Sequence, residues 1–137
     1  MKIACITTSI VPSKSANSIQ AMKVVQALKQ SGQDVRLWVP EFEKSDWETI
    51  ADVYGLTTGF DMTWLPFSLR FKQYDFALKA VSAAVRWGAD VVYTWALQAA
   101  VLGRLCGKAT VMEFHDFPMG RNGPVLFNIY RGSEARN

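Results

Sequence analysis

The chain has 137 residues, half of them hydrophobic and a fifth charged, which is the composition of one globular domain rather than of a disordered segment. Its formal charge of +3 permits an anionic ligand, but there is no Lys/Arg block of the kind carried by nucleic-acid-binding arms. No stretch reaches the roughly 18 consecutive apolar residues of a membrane span.

The opening "MKIACITTSIV" puts one Lys before an apolar run, as a signal peptide does. The run is short, is broken by Thr and Ser, and lacks a convincing cleavage site, so a first β-strand is the reading. "PSKSANS" is a breaker and N-cap cluster. In "IQAMKVVQALKQSG", Ala21, Val24, Val25 and Leu28 fall on one helical face, and Gly32 is placed to end the helix. "DVRLWVP" is a second strand stopped by Pro40. "EFEKSDWETIADVYG" predicts a short helix with Ser45 or Asp46 as N-cap and Gly55 as its stop.

"FDMTWLPF" reads as a third strand, and "QYDFALKAVSAAVRWG" as a helix with Ala77, Ala80, Val81 and Ala84 in one stripe. "ADVVYTW" is a fourth strand, "ALQAAVLGRLCG" an apolar helix with Gly107 past its end, and "KATVMEF" a fifth strand. The rest is rich in Gly and Pro, with a short helix expected around residues 125–130. Cys5 and Cys106 lie far apart in apolar segments without metal-ligand spacing, and read as buried reduced thiols of a cytosolic protein.

Strands alternating with helices imply a parallel sheet covered on both faces. Right-handed crossovers then give an α/β, Rossmann-like doubly wound sheet, expected in the order 3-2-1-4-5. Ligands bind such sheets outside the carboxyl ends of the strands, where the chain direction reverses. Three segments converge there: the loop after the first strand, Thr94 and Trp95 ending the fourth, and "EFHD" ending the fifth.

Each segment has two readings. His115, the only histidine, can be a ligand-facing group or a polar cap on the core; Glu113 would share its strand face. Trp95 can be core or platform. "SKSANS" offers small residues and Lys14 at a helix N-terminus, which favours anions, yet Ser15 to Ser18 can equally be an N-cap cluster. No Gly precedes Gly32, so neither a G-x-G-x-x-G dinucleotide fingerprint nor a P-loop is present. "FSLRFKQYDF", residues 67–76, is either an amphipathic patch for peripheral contact with a membrane or a helix lead-in whose aromatics pack on the sheet.

"MKIACITTSIVPSKSANSIQAMKVVQALKQSGQDVRLWVPE" and "ADVVYTWALQAAVLGRLCGKATVMEFHD" together resemble the N-terminal half of a GT-B glycosyltransferase of the family 4 type. The "E-F-H" element is the most specific piece of the resemblance. It implies transfer of a sugar from a nucleotide-sugar to a sugar or lipid-linked acceptor, with retention and with no cofactor or bound metal. It further implies a cytoplasmic protein, at the inner face of a membrane if peripheral, that serves polysaccharide biosynthesis.

By the resemblance, His115 is catalytic, at the donor sugar. Ser15, Asn17, Ser18, Thr94 and Trp95 face donor or acceptor, and Glu113 and Asp116 support the histidine. Residues 1–137 are expected to form a single, truncated acceptor-side domain, inactive alone and lacking the C-terminal domain that holds the nucleotide-sugar. The alternative is a free-standing Rossmann-like module that binds a nucleotide, an anion or another protein without catalysis.

Overall fold

The computed structural model describes residues 1–42, 44–68 and 74–113. Its elements run β1 (Lys2–Ile6), α1 (Ala16–Gln30), β2 (Asp34–Pro40), α2 (Trp47–Tyr54), β3 (Asp61–Leu65), α3 (Tyr74–Trp87), β4 (Val91–Thr94), α4 (Leu97–Leu105) and β5 (Ala109–Met112). The five strands are all parallel and lie in the order β3-β2-β1-β4-β5, as the alternation of elements predicts. His115, Asp116, residues 69–73 of the aromatic-basic stretch and the helix expected around 125–130 lie outside the described residues.

The local chemistry accounts for the element boundaries. Asp46 caps α2 by accepting from the Thr49 amide at 2.8 Å, which decides between the two expected caps. Gly55 ends the same helix at φ 64°, the left-handed conformation in which a Cβ is costly. In α1, Gly32 at φ 93° follows the C-cap Ser31. β1 is shorter than the apolar run predicts. Beyond Ile6 the chain turns, with the Ser9 amide donating to Thr7 Oγ1 instead of extending the ladder.

Period-two alternation divides the strands between two cores. Ile3, Cys5, Val35, Leu37 and Val39 face α1 and α2, packing on Met22, Val25, Ile50 and Tyr54. Ala4, Ile6, Trp38 and Val92 face α3 and α4, packing on Phe76, Ala77, Ala80, Val81, Ala84 and Ala99. The α3 stripe is buried as its spacing predicts. On α1 the buried set is Ser18, Ala21, Met22 and Val25, so Met22 takes a share of the face that the sequence assigned to Val24 and Leu28, both half-buried.

Helices α3 and α4 turn Ala77, Ala80, Ala84 and Ala99 toward the second face, and at Gly103 α4 sits close to the sheet. A Cβ on Gly103 would lie 3.0 Å from Thr110 Oγ1 and 3.5 Å from Val92. The first face carries Trp47, Tyr54, Trp64, Tyr93 and Trp95. Phe76, fully buried on the α3 side, alone contributes about 2–3 kcal/mol of apolar burial. Among the described residues no helix is long and apolar enough to cross a membrane.

Candidate functional site

The strand order reverses between β1 and β4, so the crevice lies at the carboxyl ends of these two strands, with β5 beside them. A single threonine closes its floor. Thr94 is buried; its hydroxyl donates to the Ile6 carbonyl at 2.7 Å and accepts from the Ala96 amide at 3.0 Å. It fastens β4 to β1 at the point where chain direction changes.

The first loop forms one wall. Ser15 is the N-cap of α1 and accepts from the Ser18 amide at 3.2 Å, while its hydroxyl meets that of Ser13 at 3.1 Å. Lys14, Ser15 and Asn17 are exposed at this edge. Ser18 is not: it is fully buried, and its hydroxyl is hydrogen-bonded to the Tyr54 hydroxyl, which also accepts from the Ser13 amide at 2.8 Å. Ser18 and Thr94 thus hold the site's framework, whereas Ser15 and Asn17 are turned to solvent.

The opposite wall is built around one carboxylate, Glu113. Glu113 directly follows β5, and its amide donates to the Thr94 carbonyl at 3.1 Å. Its Oε1 accepts from the Tyr93 hydroxyl at 2.5 Å, and its Oε2 from Trp95 Nε1 at 2.5 Å and from Gln20 Nε2 at 3.4 Å. The Tyr93 and Trp95 rings stand 5.2 Å apart at 54°. Burial, reinforced by the hydrogen bond to Glu113 and its negative charge, drives the Tyr93 phenol well above its ordinary range, so it stays protonated and donating. Both walls are tied to the same helix: Ser18 and Gln20 stand in the first turns of α1.

The site unites Glu113, Trp95 and Thr94 with the first loop, as the convergence of strand ends predicts. Tyr54, Tyr93 and Gln20 were not among the expected residues. Tyr93 had a legible signal: it lies two residues before Trp95, and the parallel register pairing Thr94 with Met112 sets Trp95 opposite Glu113. Tyr54 had none, because nothing local links it to serines about forty residues away.

Among the described residues no group of His, Cys, Asp and Glu could hold a metal ion. A surface groove of about 520 Å³ runs along α2, lined by Trp47, Glu48, Ala51, Asp52, Gly55, Leu56 and Thr57, but shares no residue with the carboxyl-end crevice. The crevice, positioned by topology and by its polar network, is the better candidate.

This fold defines a Rossmann-like α/β domain, with the candidate crevice at its switch point. Solved structures share the architecture. MurG of Acinetobacter baumannii superposes with a TM-score of 0.62 at 11% identity, over 93% of this chain and 39% of that one. The apo UGT2 of Phytolacca americana gives 0.54 at 13% identity, over 83% and 29%. A glycotransferase of kitacinnamycin gives 0.50 at 17% identity, over 98% and 38%.

These neighbours are GT-B glycosyltransferases, and the chain spans well under half the length of each. At such identities the likeness is one of fold. No family model and no curated protein matches the sequence.

Proposed function

We propose that this chain is the acceptor-side domain of a glycosyltransferase that moves a sugar from a nucleotide-sugar to a sugar or lipid-linked acceptor. The observation that carries the reading is the five-stranded sheet in the order 3-2-1-4-5, which superposes over most of its length on three glycosyltransferases. Because the chain spans only 29–39% of those proteins, a second, donor-binding domain is part of the proposal.

In this reading the exposed Ser15 and Asn17, with Trp95, face the substrates, while Ser18 and Thr94 hold the loop and strand end in place. His115, two residues beyond Glu113, acts at the donor sugar. A neutral imidazole there can donate one hydrogen bond to developing charge. Glu113 and Asp116 flank it in sequence and support it. The protein is cytoplasmic, at the inner face of a membrane if peripheral, and serves polysaccharide biosynthesis.

The test is release of nucleoside diphosphate from a panel of nucleotide-sugars by the native product that carries this chain. His115→Ala is expected to lower turnover about 10²–10³-fold, the typical effect of removing one donor to a transition state, with the fold intact. Absence of turnover with every nucleotide-sugar, or a wild-type rate in the variant, would overturn the assignment.

A further inference from the structure

The Glu113 carboxylate is held in an unusual way for a surface acid. Two aromatic donors, Tyr93 and Trp95, grip it from the half-buried side, one on each oxygen. The described ion pairs, Arg36–Asp61 and Lys44–Glu41, do not involve it. Its remaining partner among the described residues, Gln20, sits at 3.4 Å in a bond open to solvent. The group is therefore fixed in position, accepts charge-assisted hydrogen bonds, and keeps acceptor capacity on its exposed side. Trp95 adds an aromatic ring beside it, half-buried against the core.

A fixed carboxylate with no ion-pair partner among the described residues selects among ligands by charge. It accepts hydroxyl protons readily and repels anions. An aromatic ring adjoining such an acceptor offers an apolar surface to the C–H face of a saturated polyol. We infer that Glu113, Gln20 and Trp95 form a subsite for a neutral sugar ring, one of whose hydroxyls donates to the Glu113 carboxylate in place of the Gln20 amide. The choice of a sugar as ligand rests on the glycosyltransferase reading; the preference for a neutral hydroxyl donor rests on the carboxylate alone. Anionic parts of a substrate are kept from this end of the crevice and left to the Lys14 side.

The experiment is a titration of the 137-residue chain, ¹⁵N-labelled at tryptophan, with methyl α-D-glucopyranoside, methyl α-D-mannopyranoside and methyl α-D-galactopyranoside. The indole N–H of Trp95, assigned by Trp95→Phe, reports directly on its bond to Glu113. The other four indole signals report on the fold. At least one neutral glycoside is expected to shift the Trp95 signal saturably, with affinity about tenfold or more weaker in Glu113→Gln. Gln20→Ala is expected to change that affinity less than about twofold, since an exposed hydrogen bond contributes little.

Glucuronate is expected to bind more weakly than glucoside to the wild type, and this discrimination should vanish in Glu113→Gln. If that variant disturbs the other indole signals, Glu113→Asp, which withdraws the carboxylate by one methylene, provides the same comparison. A saturable shift that survives substitution of Glu113, or no saturable shift with any of the three glycosides, overturns the subsite. The wider reading fails separately, through absence of nucleotide-sugar turnover, because glycoside binding here requires neither nucleotide nor His115.

Discussion

Tyr54→Phe removes one oxygen atom and leaves the ring that packs the α2 side of the core. The lost hydroxyl serves two groups: Ser13, whose amide donates to it at 2.8 Å, and the fully buried Ser18 hydroxyl. Leaving Ser18 without a partner costs about 1–3 kcal/mol; the Ser13 amide is half-buried and regains water, so its loss adds only about 0.5 kcal/mol. The ring still fills its space and no cavity opens. The expected destabilisation is about 2 kcal/mol, or roughly 6 °C in Tm for a domain of this size.

Urea unfolding of Tyr54→Phe, Ser18→Ala and the double variant measures the pair. Ser18→Ala leaves the Tyr54 hydroxyl with its bond to Ser13 and should cost about 1 kcal/mol. The double variant should cost about 1 kcal/mol less than the sum of the two, because neither group remains stranded. Amide exchange at Ser13 should quicken in Tyr54→Phe. Strict additivity, or a loss below about 0.5 kcal/mol in Tyr54→Phe, would refute the view that this hydroxyl holds the first loop.

Three further outcomes follow from the packing. Gly103→Val should destabilise by about 1–3 kcal/mol through overpacking, since its Cβ would meet Thr110 Oγ1 at 3.0 Å. Gly103→Ala should be milder, the helical gain of about 1 kcal/mol over Gly offsetting the contact; chemical denaturation distinguishes the two.

The Asp46 carboxyl is held below its usual range by its hydrogen bonds from Thr49. Its native pKa is thus lower than its unfolded one. The stabilisation is present above the ordinary carboxylate pKa and fades as pH falls through the native value. Asp46→Asn should keep the cap yet flatten the stability profile in that acid window. Burial pushes the Cys5 thiol up to about 12, so a disulfide-exchange reagent at pH 8 should label the exposed Cys106 alone in the native chain and both thiols in denaturant. Labelling of Cys5 in the native chain would show that β1 opens.

The fold was legible because each element states its type locally. "DVRLWVP" begins and ends where β2 does, and the Ala77, Ala80, Val81 and Ala84 stripe is the buried face of α3. The crevice was legible through topology, which brings Trp95 and Glu113 together from strands that adjoin only in the sheet. What the sequence could not express is which polar atoms satisfy one another across the fold. Ser18 and Asn17 stand side by side in "SANS", yet helical geometry turns one to Tyr54 and the other to solvent. Gln20 reaches Glu113 across 93 residues of chain, a pairing that no local pattern encodes.

Tyr54, Tyr93 and Trp95 each pack a ring against the same core and send a single polar atom into the network at the carboxyl edge. The crevice thereby inherits its positional accuracy from the interior, without needing rigid loops of its own. The same economy couples two evolutionary pressures that most proteins keep apart. A substitution by Phe at Tyr54 or Tyr93 is nearly invisible to packing but strips the rim of its hydrogen bonds. A repacking of the interior shifts the rim even when every polar residue is retained. Divergence on this side of the sheet should therefore be slow, with the freer drift at solvent-facing helix positions such as Val53 and Leu78, whose side chains answer to neither constraint.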